Sequence, residues 1–507
     1  MKKLFAIVLT ICMLASVLFV TAFAAESTSN GTMGICGLKE GGTLEAIKGG
    51  SNFEEIWEAA VDYALDHDYM DRKGYDRIVV DLYGDWNANE DGEFGSGGDG
   101  FAQSTIYVPS HTKMTINMNG HTINRRLEEK EYDGEVIWVG SDADLIINGG
   151  KSGDEPVMTV ESVGNTKVGI ITGGYSRNGA GGIHIEDDAT VTLNNVVLFK
   201  NRVIHDMGSA IAIYNGATLI MNGGAFLDNT LYAYDSGSEG TLYVDDSVAV
   251  LNHVIFRGNN GHGSEMLNGV LVSANGDADV MLNGCWVYDN LFSNSWSQSA
   301  FYCDDSACTL TLNETKINNI GNRLNEYVIY GGEPGRLPCM FESYGTININ
   351  KCTIEDGKIS SIFGCYNGSD GIINVVDTEI SNCRRFIRVK DTTGRWVSFS
   401  NNQMNFTNCK ISNVEDKLYG YSVDHVKVTL TDCEFENVKW SGAQDVWTFI
   451  DSTKSAGVGS MFGEGSLSMI VAITALIASA AAIVVSVSSK KKAVPATSNK
   501  AKAEDEE

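Results

Sequence analysis

The chain has 507 residues, with 65 acidic against 37 basic side chains and a formal net charge of −28 at pH 7. Such a surface repels phosphate backbones, which excludes nucleic acid as a partner and leaves Ca2+ as the ion it would attract. The 11 cysteines include no CxxC pair, so no zinc or redox motif is indicated.

Residues 1–24 read as a signal peptide: a basic start at Lys2 and Lys3, an apolar run, then Ala22-Phe23-Ala24 suited to signal peptidase. An exported N-terminal segment, 25–104, follows. Within it 51–69 reads as a helix, because Phe53, Ile56, Trp57, Ala60, Val61, Ala64 and Leu65 share one face and Ser51 with Glu54 forms a capping-box pattern. A solenoid exposes its core at both ends, and this helix is expected to cap the first coil. The stretch DWNANEDGEF at 85–94 resembles part of an EF-hand or dockerin loop, with Asp85, Asn87, Asn89 and Asp91 spaced like oxygen ligands to Ca2+. Neither register keeps both the glycine at the sixth place and an acid at the twelfth, so a polar linking loop is the competing reading.

From 105 to 445 one phrase recurs: TVTLNNVVLFKN, TLIMNGGAFLDN, DVMLNGCWVYDN. An anchor follows each apolar-x-apolar triplet, at Asn119, Asn148, Asn194, Asn222, Asn252, Asn283, Asn313, Asn350, Val376, Thr407 and Thr431. The triplets alternate with the period of a strand. The anchors recur about every thirty residues, one coil of a solenoid, and the wide gap between Asn148 and Asn194 is expected to hold an unmarked extra turn. Before each anchor a second strand ends in turn residues, as in GGIHIEDD, SAIAIYNG and GTLYVDDS. One unit is therefore strand, turn, strand, anchor, strand, loop. Stacked units would place the eight anchor asparagines in one column, joined amide to amide, each expected to take the left-handed backbone of a sharp corner.

At this point the chain resembles the pectin-lyase-like right-handed parallel β-helix superfamily, in particular bacterial cell-surface, adhesin-like members built from units such as GGAI-x-I-x-NG-x-TL-x-IN. The resemblance implies an all-β, right-handed parallel β-helix solenoid of about 11–12 coils, here with an N-terminal cap helix and a C-terminal transmembrane helix. Many relatives of that kind cleave acidic polysaccharides. Asp245-Asp246, Gly261-His262-Gly263 and Arg388-Val389-Lys390 echo three motifs of the hydrolase branch. Asp pairs recur in the same turn of other coils, however, and Lys390 lies four coils beyond His262, so no catalytic set is assigned. A lyase would need Ca2+ held by carboxylates beside an arginine base, and no arginine recurs in register.

Aromatic residues are the remaining lead. Trp286, Tyr288, Trp296 and Tyr302 crowd one inter-coil loop, and Tyr232 and Tyr234 follow Asn229; exposed rings of this kind stack on sugar faces. Cys285, Cys352, Cys409 and Cys433 each fall two places past an anchor and are expected to serve as small apolar filler, with Cys409 and Cys433 in disulfide reach. Cys303, Cys339 and Cys365 are expected in a second column, where Cys339 and Cys365 are likewise in reach. Residues 446–466 read as a stalk, 467–489 as one membrane span followed by Lys490, Lys491 and Lys492, and 490–507 as a cytoplasmic tail. The expectation is a single-pass membrane protein whose extracellular rod recognises a carbohydrate or surface-protein ligand without catalysis. An extracellular polysaccharide lyase or glycoside hydrolase is the alternative, and an architectural surface protein the third reading.

Overall fold

In Thr190–Asn194 Val191 and Leu193 are buried while Thr190 and Thr192 face outward, and Asp144–Asn148, Thr218–Asn222, Thr309–Asn313 and Thr346–Asn350 repeat the pattern. A strand buries alternate residues, and Val, Ile, Leu and Thr suit its pleated surface. Alone, such a strand leaves both its edges unsatisfied. Each therefore pairs in parallel with its copy one coil away, Asn194 opposite Asn148 and Asn222, Asn252 opposite Asn222 and Asn283.

The computed structural model describes residues 33–88, 105–127, 134–150, 168–177, 179–233, 237–263, 267–292, 299–322, 339–355, 361–365, 370–389, 402–416, 426–438 and 447–452. The expected signal peptide, membrane span and tail lie outside them. Among the described residues no helix is long and apolar enough to cross a membrane. Within the described residues the chain winds as an all-β, parallel β-helix: sheet A has 15 strands and holds the anchors, and sheets B, C and D have 12, 10 and 6. Each complete coil passes from C through A to B and D. Sheet D, with strands such as Thr230–Ala233 and Asn260–Gly263, occupies what the sequence reading took for loop.

The winding differs from expectation in several places. Asp144–Asn148 pairs directly with Thr190–Asn194, so the wide gap holds a longer single coil and no extra turn. The solenoid starts before 105, since β3 (Tyr75–Leu82) already pairs in parallel with Lys113–Asn117. It also runs past 445, where Trp447–Ile450 pairs with Val428–Thr431 and opens the stretch read as a stalk.

At the start of sheet A, β1 (Met33–Lys39) lies antiparallel between β2 (Leu44–Gly50) and β3, an unforeseen addition to the cap. Helix α1 (Phe53–Leu65) crosses the open end of the first coil. Trp57 Nε1 donates to Tyr107 O at 3.1 Å, and the Phe53 and Trp86 rings stack at 4.5 Å. Asn52 is the N-cap, its side chain accepting from Glu55 N at 3.4 Å, one place on from the Ser51 expected to open the helix. Leu65, counted among the inward residues, is 48% exposed because the helix ends there, and α2 (His67–Lys73) replaces the continuation to 69. Asn52→Ala is expected to cost about 1 kcal/mol in thermal or urea unfolding, and Ser51→Ala distinctly less. Equal losses would return the cap to Ser51.

Like stacks on like inside the solenoid. Phe301, Phe341 and Phe363 form one inward file at centroid spacings of 5.1 and 5.7 Å, and Phe226 meets Phe256 at 4.7 Å. Each such ring contributes roughly 1.5–3 kcal/mol by leaving water.

Candidate functional site

The corner between sheets A and B is built by the anchor column. Asn194 Nδ2 donates to Asn148 Oδ1 at 2.9 Å, Asn222 to Asn194, Asn252 to Asn222 and Asn283 to Asn252 at 3.0 Å each, Asn313 to Asn283 at 2.9 Å, and Asn350 to Asn313 at 3.0 Å. The first rung is Asn117, to which Asn148 donates at 2.8 Å, and not Asn119. Asn119 stands two places later and donates to Leu82 O at 3.0 Å. Of the eight asparagines, Asn119, off the ladder, takes the expected left-handed backbone at φ 53°, and the other seven end their strands in extended backbone. The left-handed residue is the next one along: Asn195, Gly223, His253, Gly284, Glu314 and Lys351, with φ between 51° and 66°. The column is thus selected for its amide chain, and the bend falls one place later.

From Cys285 onward a side-chain donor sits two places past the anchor, where earlier coils have Val196, Gly224 and Val254. Cys352 Sγ gives to Asn350 O at 3.3 Å, Thr378 Oγ1 to Val376 O at 2.9 Å, and Ser452 Oγ to Ile450 O at 3.1 Å. The thiols expected as apolar filler therefore share the place of hydroxyls, adding a second bond to carbonyls that already accept a backbone N–H from the neighbouring coil, as Asn350 O does from Glu314 N and Val376 O from Lys351 N, both at 2.9 Å. In sheet C, Cys339 faces Ser361 and Cys303 faces Ser343, so Cys303, Cys339 and Cys365 do not form one file. Turn lengths differ between these coils, and counting back from the anchor misplaces them. Cys303 is instead joined in a disulfide to Cys308.

A second, wholly buried ladder escaped the sequence reading. Asn201, Asn229, Asn259 and Asn290 are all 0% exposed and turn the chain from B to D. Asn259 Oδ1 accepts from Asn229 N at 3.1 Å and Asn229 Nδ2 at 3.0 Å, while its own Nδ2 donates to Phe226 O at 2.9 Å and Asn290 Oδ1 at 3.0 Å. Its signal was the closing N of the recurring phrase.

Of the residues called as Ca2+ ligands, Asp85 accepts from Thr122 N at 2.9 Å and Asn87 accepts from Asn124 Nδ2 at 3.3 Å. Both therefore tie the first coil to the second. Asn89 and Asp91 lie outside the described residues. Among the described residues, no three His, Cys, Asp or Glu side chains gather where they could hold a metal.

Of the aromatic residues expected around one inter-coil loop, Trp286 and Tyr288 stand on a strand of sheet B and Tyr302 on a strand of sheet C. Trp286 and Tyr288 flank buried Val287 on sheet B, so both rings project outward, half-buried, with centroids 4.5 Å apart and planes 34° apart. Lys316 stands in register with Trp286, and Arg257 with Tyr288. Tyr288 also packs with Phe199 and Ile170 against Val197, Ala225, Leu227 and Ile255, an apolar stripe on the outer face of sheet B. Tyr232 lies on sheet D, its ring parallel to that of His262 at 5.6 Å and 15°. Tyr302, by contrast, is only 5% exposed on sheet C, and its hydroxyl donates to Asp304. Burial first, then the carboxylates of Asp304 and Glu342, pushes this phenol far above its ordinary range, and its packing removes it from the ligand contacts. Trp296 and Tyr234 lie outside the described residues.

The outer face of sheet C carries a file that sequence reading missed. Trp138 stacks on His184 at 4.0 Å and 10°, His184 on Tyr214 at 5.0 Å, and Tyr214 meets Tyr243 at 5.7 Å. Parallel register with outward parity at His184 and Tyr243 was the available signal. Ala180 and Met207 pack over this file. Nearby, Ser238–Glu239 pairs with Leu267–Asn268 as a two-stranded sheet. Glu239 accepts from Ser273 Oγ at 2.7 Å and Asn268 Nδ2 at 3.1 Å, and burial pushes its carboxyl up to about 7 against those bonds. Burial likewise raises the Tyr214 and Tyr243 phenols, so neither supplies a phenolate base. The hydrolase echo is dispersed: Asp245 belongs to sheet C, His262 to sheet D, and Arg388 stands in register with Gly364, several coils away.

No protein-family model matches the chain, and no curated protein and no solved structure matches it.

Proposed function

We propose that the chain is a cell-surface recognition rod: a right-handed, pectin-lyase-like β-helix, exported by residues 1–24, anchored by one span at 467–489, and binding a carbohydrate without catalysis. Right-handed winding is the hand that parallel crossovers take. The observation that carries the binding reading is the outward pair Trp286 and Tyr288, two adjacent rings on a flat sheet with Lys316 and Arg257 in register beside them. Rings so placed stack on the apolar face of a sugar, while the cations donate to its hydroxyl or carboxylate groups. The dispersal of the hydrolase echo and the buried, protonated phenols of sheet C favour binding over cleavage. A lyase or hydrolase acting on acidic glycans stands second, and an architectural role third.

The full chain on a glycan array is expected to bind one class of saccharide, and Trp286→Ala to weaken that binding at least about tenfold. Because the ring faces outward, its loss should leave the melting temperature nearly unchanged. Undiminished binding by both Trp286→Ala and Tyr288→Ala would remove this face as the site. Release of unsaturated or reducing ends from pectin, alginate or glycosaminoglycans would move the assignment to the enzyme reading.

A further inference from the structure

Along the donor column past the anchors, thiol and hydroxyl alternate: Cys285, Thr315, Cys352, Thr378. At Cys409 and Cys433 the alternation fails, and two thiols occupy consecutive coils. Thr407 is opposite Thr431, so the two cysteines hold equivalent places on neighbouring windings, about 4.8 Å apart along the stack. That spacing falls inside the Cα separation, roughly 4.4–6.8 Å, that a disulfide spans. Each thiol also donates to the carbonyl of its own anchor at 3.3 Å, which turns both side chains into the same corner.

We propose that Cys409 and Cys433 form a disulfide staple that closes the C-terminal end of the solenoid. The two ends need different closures. At the N-terminal end the core is covered by α1 and by β1 and β2, whereas among the described residues both helices belong to that end. Among the described residues sheet A ends at Trp447–Ile450, which pairs there with Val428–Thr431 on one side. Coils at such an end fray first, because each contacts only its neighbours. A covalent link between neighbouring coils makes unwinding of one require unwinding of the other.

The chemistry needs an oxidant, here a small-molecule disulfide such as oxidised glutathione. One protein thiolate attacks a sulfur of the oxidant and releases one reduced thiol. The second protein thiolate then attacks the mixed disulfide, forming the Cys409–Cys433 bond and releasing the other. The protein gives up two electrons and two protons, and the oxidant leaves as two thiols. The disulfide between Cys303 and Cys308 shows that the fold already accommodates one such bond. Both members of the pair are buried, yet each lies next to exposed residues, Asn408 and Lys410 on one side, Asp432 and Glu434 on the other. Fraying of the last coil opens the route, since Ser452 on that coil holds Cys433 N at 3.1 Å.

The test uses the full chain, purified without reductant, treated with oxidised glutathione, alkylated and digested with trypsin. The peptide ending at Lys410 is expected joined to the peptide ending at Lys439, with a mass two hydrogens below their sum. The melting temperature is expected to fall by a few degrees on reduction. A Cys409→Ser, Cys433→Ser double variant, whose hydroxyls still reach the same carbonyls, should show a smaller response to reductant. Recovery of both cysteines as alkylated thiols after oxidation would overturn the proposal, as would linkage of Cys433 to any other cysteine. An identical response to reductant in the double variant would overturn the stapling role.

Discussion

Asn259→Ala is expected to unfold the middle of the solenoid. The side chain is fully buried and engages four partner atoms across three coils. Alanine leaves Asn229 N–H and one hydrogen of Asn229 Nδ2 without partners in a space closed to water. Each orphan costs about 1–3 kcal/mol, so the sum, about 4 kcal/mol, approaches the whole stability of many domains. Asn259→Asp should be nearly as damaging, because it keeps the acceptor, removes both donors and buries a charge. Asn252→Ala is the comparison. It breaks the link to Asn222 and the one from Asn283 in a half-buried column where water reaches the free atoms, and about 1 kcal/mol is expected. Thermal unfolding followed by circular dichroism, with limited proteolysis to locate the opened coils, separates the two. Equal shifts for Asn259→Ala and Asn252→Ala would show that the buried ladder carries no special share of stability.

How much of this was readable beforehand depends on what kind of information each feature needs. Alternation and interval are local properties, so sheets A, B and C were legible in phrases such as TVTLNNVVLFKN. Register is not local. Met114-Thr115-Ile116 and Ile116-Asn117-Met118 are both apolar-x-apolar triplets, and only pairing of Asn117 with Asn148 decides that the first marks the rung. The gap before Asn194 failed for a related reason: an interval counts residues, and a long insertion has the same length as an extra turn. The inner ladder was visible as a repeated letter. An asparagine ordinarily signals a turn, however, and nothing in the string says that Asn201, Asn229, Asn259 and Asn290 are sealed from water. For the aromatic residues, parity predicts which way a ring points but not what lies over it. Trp286 and Tyr302 both point outward, yet the first stays half-exposed on sheet B and the second is packed away beside Asp304 on sheet C.

That packing over sheet C gives the second large effect a pH signature. Glu239 is buried, and its carboxyl, ordinarily near 4.5, is held up at about 7 by desolvation, with Asp304 and Asp245 adding repulsion while the bonds from Ser273 and Asn268 oppose the shift. Asn268 Oδ1 has no hydrogen-bond partner, so an amide flip would offer that oxygen to a protonated Glu239. Because the folded carboxyl holds its proton more tightly than the unfolded one, its contribution is fully present below pH 4.5. It is lost progressively as pH rises to about 7 and is constant beyond. The span corresponds to about 3 kcal/mol at 1.36 kcal/mol per pH unit. Glutamine mimics the neutral carboxyl and can donate to the flipped Asn268 oxygen. Glu239→Gln is therefore expected to match the native chain near pH 4, exceed it in unfolding free energy by up to that amount at pH 8, and diverge from it only between. Measuring both chains by urea unfolding across this range cancels acids that do not face Glu239, Asp81 among them, whose carboxyl burial also raises. A difference between the two chains that stays flat from pH 4 to 8 would mean that Glu239 ionises as freely in the fold as outside it, and that the paired segments over sheet C do not bury its carboxyl.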